Sequence, residues 1–323
     1  VKAKSGLLSL TLSLLIIAIF GLVILNRQDI YDWARLRNYT PPAEIAALTE
    51  ATTMNSNGKK LFYLNWPDLQ GKDEFNQSCT EGEESIVLGC YINGKGIFLY
   101  DVEDPRLEGV EEVTAAHEML HSAYDRISPE ERERIDKLTQ AELDNITNER
   151  VLKTVEAYRK RDPSVVPNEL HSIIATEVRD ISSELENYYK KYFTNRKAIV
   201  DISEKYESEF TKLENRANEL KANIEQIKQE IETTNTRLES EAAELADEYR
   251  QLETDRLGAN PEEFNQMANN YNQKVAAYNQ SVRDVSSKID NYNLIINEYN
   301  SIITQESQLY DAIDSRPKAI NGQ

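Results

Sequence analysis

The sequence predicts an α+β domain with a small mixed sheet, an N-terminal transmembrane helix before it and a long α-helical coiled-coil hairpin after it. Three observations predict this. The twenty residues from Gly6 to Leu25 carry no charge. Strand and helix signals alternate between residues 27 and 200, and beyond residue 201 apolar residues recur at steps of three and four. The boundaries are read as 1–26 for the anchor, 27–200 for the mixed domain and 201–323 for the hairpin and tail.

At 1.5 Å rise per residue the uncharged stretch spans about 30 Å, the thickness of a bilayer's hydrocarbon core. Lys2 and Lys4 precede it and no small-x-small cleavage site follows, so the expectation is an uncleaved single-pass anchor with the rest of the chain extracytoplasmic. Arg27, Arg35 and Arg37 on the far side weaken the charge argument for that orientation. Cys79 and Cys90 agree with an oxidising compartment, where they would close a short loop with a stabilisation of about 3 kcal/mol in the chain-entropy model. Asn38-Tyr39-Thr40 and Asn76-Gln77-Ser78 are sequons, meaningful in a eukaryotic secretory route. The net charge of -19 argues against a nucleic-acid partner, which needs basic patches.

Pro41-Pro42 opens a short helix through Ile45 and Leu48, and Lys60 to Asn65 reads as a strand. Ile86 to Ile92, an Asn93-Gly94 turn and Ile97 to Val102 form a hairpin. A helix follows from about Glu112 to Tyr124, and Ser128-Pro129-Glu130-Glu131 caps the next. After Pro163 and Pro167, Asn168 is expected to cap a helix from Glu169 to about Phe193. Further on, Phe210, Leu213, Ala217, Leu220, Ile224, Ile227 and Ile231 begin a coiled-coil seam. Gly258 to Pro261 breaks it, and Tyr-Asn pairs at 271, 278, 292 and 299 mark a second helix. Two such helices and one short turn imply an antiparallel hairpin, open to a coiled-coil partner or a second copy.

The chemistry lies in His117-Glu118-Met119-Leu120-His121. Residues four apart share a helix face, so both imidazoles can meet one Zn²⁺, while Glu118 is placed to take a proton from a metal-bound water whose pKa falls to about 7. A third ligand is expected from the helix after Asn168. Glu177 falls inside its apolar stripe of Leu170, Ile173, Ile174, Ile181 and Leu185, where a carboxylate needs a metal or a buried arginine. Glu177 is therefore preferred to Glu169, whose first-turn position already suits the helix dipole, and to His171 at the stripe's edge. Tyr124, Tyr188, Tyr189 and His171 are the candidate oxyanion donors.

With Asp125 following, this pattern resembles the gluzincin branch of zinc peptidases, HExxHxxxD, which includes thermolysin-like enzymes and the anthrax lethal factor catalytic domain. The resemblance covers about residues 60–195 and implies a zincin-like metallopeptidase domain whose third ligand is a glutamate on a later helix, matching Glu177. It also implies an antiparallel edge strand before the active-site helix, at Ile97 to Val102, onto which an extended peptide adds. The thermolysin-like Asn-Glu-x-x-Ser pattern recurs at Asn168-Glu169-Leu170-His171-Ser172 and keeps Glu169 open as ligand. The reading is thus a zinc-dependent peptidase of protein or peptide substrates. The alternatives are an envelope scaffold working through the coiled coil and a zinc amidase on cell-wall peptides.

Overall fold

The structure, a computed structural model, describes residues 17–18, 20–79 and 87–316. It divides into two units: one of residues 1–208 and 312–323, the other of residues 209–311.

The first unit is built around helix α5 (Val110–Tyr124), in which Val113, Ala115, Ala116, Met119, Leu120 and Ala123 are buried. Burial on several faces demands cover on several sides. That cover comes from α2 (Ala43–Ala51), α3 (Ser56–Leu64), α8 (Val166–Glu177) and a three-stranded sheet. α1 (Arg27–Leu36) packs on α3. The expected strand at 60–65 is instead part of α3. The Asn55 side chain accepts from the Asn57 and Gly58 amides and starts the helix, which buries Gly58, Leu61, Phe62 and Leu64. A short apolar run does not reveal its own period, and here helical burial wins over strand propensity.

The sheet has the order β1-β3-β2, with β1 (Asp68–Gln70) parallel to β3 (Gly96–Tyr100) and β2 (Gly89–Ile92) antiparallel to it, Cys90 facing Phe98 and Tyr91 facing Ile97. The Asn93-Gly94 turn forms as expected, with Gly94 at φ 79. The edge strand is not where it was expected. β3 is central, because a three-residue strand too short and polar to read from sequence pairs on its far side, and β2 is the edge on that side of the sheet. α4 (Lys72–Ser78) leads to Cys79, which is disulfide-bonded to Cys90 in β2.

α6 (Pro129–Leu143) starts at Ser128, whose hydroxyl accepts from the Glu131 amide. α7 (Glu149–Arg161) follows. The helix expected from Glu169 to Phe193 is two helices: α8 ends at Glu177, Val178 turns extended, and Ser182 caps α9 (Ser183–Tyr189). The break is filled by Arg196, 3% exposed. Its guanidinium donates to the carbonyls of Ala175 (3.0 Å), Val178 (2.6 Å) and Arg179 (2.7 Å) and to Glu186 (2.9 Å).

Two long helices, α10 (Arg196–Asp255) and α11 (Pro261–Ile313), form the hairpin. The second unit is their antiparallel pairing: Arg216 meets Glu298, Lys288 meets Glu230, and Phe210 packs tilted against Tyr310 with ring centroids 5.2 Å apart. Ala217, Leu220, Ile227 and Leu238 are the buried seam residues of α10. The hairpin is an insertion in the first unit. Residues 196–208 pack there, and after α11 the chain returns, where Ser315 donates to the Val87 carbonyl (2.6 Å) and accepts from Asn76 (2.6 Å).

Of the expected anchor, residues 6–16 and 19 lie outside the described residues. Among the described residues no helix is long and apolar enough to cross a membrane. Residues 20–25 are helical, with Phe20, Leu22, Ile24 and Leu25 all at least 60% exposed.

Arg196→Met removes the donors that cover the end of α8 and leaves several carbonyls unsatisfied. We expect a loss of about 3 kcal/mol, read as a fall in melting temperature of roughly 6–12 °C.

Candidate metal centre

α5 starts at Gly109, held at φ 106, and a Cβ there would lie 2.3 Å from the Ile202 side chain in α10. Glycine is required by both the left-handed backbone and the close approach. From that start the helix carries His117 and His121 one turn apart on one face, with ring centroids 4.8 Å apart. α8 supplies the third group. Glu169 Oε2 is 3.3 Å from His117 Nε2 and 3.7 Å from His121 Nε2. His117, His121 and Glu169 offer ligand atoms all within 4.8 Å of one another, and this group can hold a metal ion. Glu169 Oε2 is buried with no hydrogen-bond partner, an arrangement that is costly unless a cation fills it.

The structure does not bring Glu177 to the histidines. It is the last residue of α8, two turns beyond Glu169, and its carboxylate takes a hydrogen bond from Arg150 (2.5 Å), which also pairs with Glu207. The expectation of Glu177 beside the two histidines is corrected: the carboxylate that lies there is Glu169. The apolar stripe misled because α8 is buried almost all round: Leu170 to Thr176 are all covered, so no narrow face marks the ligand. The pairing with an arginine, weighed for Glu177 from the sequence as a buried salt bridge, is present, but Arg150 itself is 44% exposed. Asn168 is not a cap either. It lies in the first turn of α8 and faces His121, its Oδ1 being 3.0 Å from Nδ1, which turns Nε2 toward Glu169. His171 is fully buried and turned to Tyr188, with Nε2 3.0 Å from the phenol oxygen. Burial, with the charges of His121 and His117, holds its pKa down to about 3.

Glu118 is 5% exposed, and burial pushes its carboxyl up to about 7; the His121 charge and the Tyr91 backbone N–H act against that rise, and Glu169 adds to it. Strand β2 lies directly on it. A Cβ at Gly89 would meet Thr114 Cγ2 at 2.5 Å and Glu118 Cγ at 2.9 Å, so only glycine lets the strand come this close. A lone glycine inside a strand pattern is a signal of such an approach, and it was present in the sequence.

Tyr158 of α7 is the residue that sequence reasoning missed. Its phenol is within hydrogen-bonding reach of Glu169; burial first, then the charges of Glu169 and Glu118, raise its pKa well above the ordinary value. For Glu169 itself burial opposes the charge, but His117, His121 and Tyr158 outweigh it and hold the carboxyl below the usual range. With 17 tyrosines in the chain, nothing local singled out this one. The expected donors are engaged elsewhere: Tyr124 donates to Asp136 (2.8 Å), Tyr189 to the His171 carbonyl (2.8 Å), and Tyr188 meets His171 and Tyr192. Asp125 accepts from Tyr91 (3.2 Å) and Asn93 (3.0 Å), tying the end of β2 to the end of α5. A cavity of about 780 Å³ between α6 and the start of α8 is lined by Ile127, Arg132, Asp136 and Leu170 among others, and contains none of the three metal-competent residues.

No family model, no curated protein and no solved structure matches the chain.

Glu169→Ala is expected to weaken binding of a divalent probe such as Zn²⁺ or Co²⁺ by more than the roughly 10–100-fold typical of losing an outer partner. Glu177→Gln should leave that affinity unchanged while lowering the melting temperature. Calorimetric titration against a competing chelator separates the two.

Proposed function

We propose that this chain is a membrane-anchored, extracytoplasmic zinc peptidase of the gluzincin type, with Glu118 as general base. The observation that carries the reading is the unpaired Glu169 oxygen facing two imidazoles beside a buried Glu118. Zinc bonds of roughly 2.05 Å at tetrahedral angles put neighbouring ligand atoms about 3.3 Å apart; Glu169 lies 3.3 and 3.7 Å from the two imidazole nitrogens, and all three ligand atoms lie within 4.8 Å of one another. Glu169 also falls in the Asn-Glu-x-x-Ser pattern that thermolysin-like enzymes share, which supports the resemblance through a residue other than the one first preferred. An oxidising location is supported by the Cys79–Cys90 disulfide, and the anchor by the uncharged run from Gly6 to Leu25.

Zinc held by His117, His121 and Glu169 supplies Lewis acidity, lowering the pKa of a water to about 7 and polarising a carbonyl. The protein's own groups do the rest. Glu118 accepts the proton of the attacking water on its carboxylate and returns it to the departing amine. A carboxyl raised by burial suits both directions of that transfer. The Tyr158 O–H is the donor for the oxyanion that develops on the scissile carbonyl. Edge strand β2, pinned by its disulfide and by Asp125, offers an extended peptide a strand to lie along. An amidase of cell-wall peptides would use the same groups. The hairpin suits a docking arm for a coiled-coil partner or a second copy, since Leu294 and Val282 remain exposed on it.

Glu118→Gln in metal-loaded protein should lower kcat/KM on an unfolded protein substrate by about 10²–10⁴-fold with zinc content retained; undiminished cleavage would show the mechanism to be wrong. Tyr158→Phe should lower kcat on the order of 10²-fold with little change in KM, measured on the same substrate.

A further inference from the structure

The residues that follow the uncharged stretch do not form a slack tether. α1 is fastened to the body of the first unit through Asp32, which is 2% exposed. Arg126 Nη1 lies 3.1 Å from both of its oxygens and Lys60 Nζ 2.7 Å from one. Burial raises the Asp32 pKa, but these two cations more than offset it, and the carboxyl stays charged. Arg35 adds a second fastening, donating to the Leu64 carbonyl at 2.5 Å.

Around α1, Ile30, Tyr31 and Trp33 are exposed at 46%, 49% and 65%, Tyr31 beside Arg35, which donates to its hydroxyl at 3.2 Å. A different element adds a ring beside Arg35. Trp66, in the turn between α3 and β1, is 50% exposed, with the Arg35 guanidinium 4.1 Å over its ring. Its backbone sits at φ 44, a left-handed conformation unfavourable for a bulky residue, held by its amide on the Tyr63 carbonyl at 3.1 Å. Strain of this kind persists where surrounding structure imposes it, and it gathers at functional surfaces. Here it serves to hold out an indole. Trp33 has a cation of its own, Arg37, 5.5 Å from its ring. The chain has two tryptophans, and both are exposed, each with an arginine over its ring.

Tryptophan, tyrosine and arginine together, directly after an uncharged stretch of sequence, match the chemistry of a membrane–water interface: rings lie at headgroup level and guanidinium groups reach the phosphates. We propose that Ile30, Tyr31, Trp33, Arg35 and Trp66 form a collar that seats the first unit on the surface of the bilayer that residues 6–25 cross. This rests on the anchor reading given under Proposed function. The collar keeps the metal centre near the membrane, because Arg126, which fastens α1, comes five residues after His121.

Trp66 is the decisive reporter. Trp33 would be near the bilayer on any short tether, whereas Trp66 belongs to a separate element. The test uses the full chain carrying Trp33→Phe, reconstituted at one copy per lipid nanodisc of mixed zwitterionic and anionic lipid. Quenching is read with lipids brominated close to the headgroup and with aqueous iodide, and integration is checked by resistance to alkaline carbonate. The collar requires that Trp66 lose most of its emission to the brominated lipid and be shielded from iodide. In an integrated chain, Trp66 open to iodide and untouched by bromine overturns the collar while the anchor stands. Shielding that appears only with two copies per disc also overturns it, in favour of a contact between copies. A chain released by carbonate removes the anchor and the collar together.

Discussion

The structure turns on a carboxylate oxygen held without a donor between two imidazole nitrogens. A buried carboxylate oxygen without a hydrogen bond is costly unless something positive lies beside it, so the surrounding fold must hold these three groups together. The two helices involved are held at their ends. Arg196 covers the C-terminal carbonyls of α8, and Ile202 packs against the glycine that starts α5. Both residues belong to the first turns of α10, so a single stretch of helix sets the ends of the two helices that carry the metal-competent residues.

Strand β2 has a comparable arrangement. Gly89 and the Tyr91 amide both touch Glu118, and Cys90 between them is bonded to Cys79. The approach to the strand is held at Val87 by Ser315, from the chain returning out of α11. All three elements of the site are thus fastened by residues at the two roots of the hairpin, each within the first unit. This gives the insertion point a physical meaning: the hairpin departs from and returns to the elements whose spacing the chemistry requires.

Electrostatics divides the molecule in a similar way. The chain is strongly acidic overall, and two of its covered carboxylates have cations of their own: Asp32 has Arg126 and Lys60, and Glu177 has Arg150. For Glu118, as for Glu111 in the first turn of the same helix, burial dominates and raises the proton affinity. A base for proton transfer near neutral pH needs that departure from the ordinary carboxylate.

What the sequence determined by itself was everything a single stretch of chain can express: one helical turn presenting His117 and His121, the Ser128 cap, the Asn93-Gly94 turn, and the seam of the long helices. Those follow from short-range periodicity and side-chain chemistry. Tertiary structure alone decided between Glu169 and Glu177, made residues 60–64 helical, moved β2 to the edge and brought Tyr158 to the site. The physical reason is common to all four. A helix buried on every side has no stripe to point out its functional face, and a short apolar run has no period of its own. What such segments face is settled by partners far away in the chain.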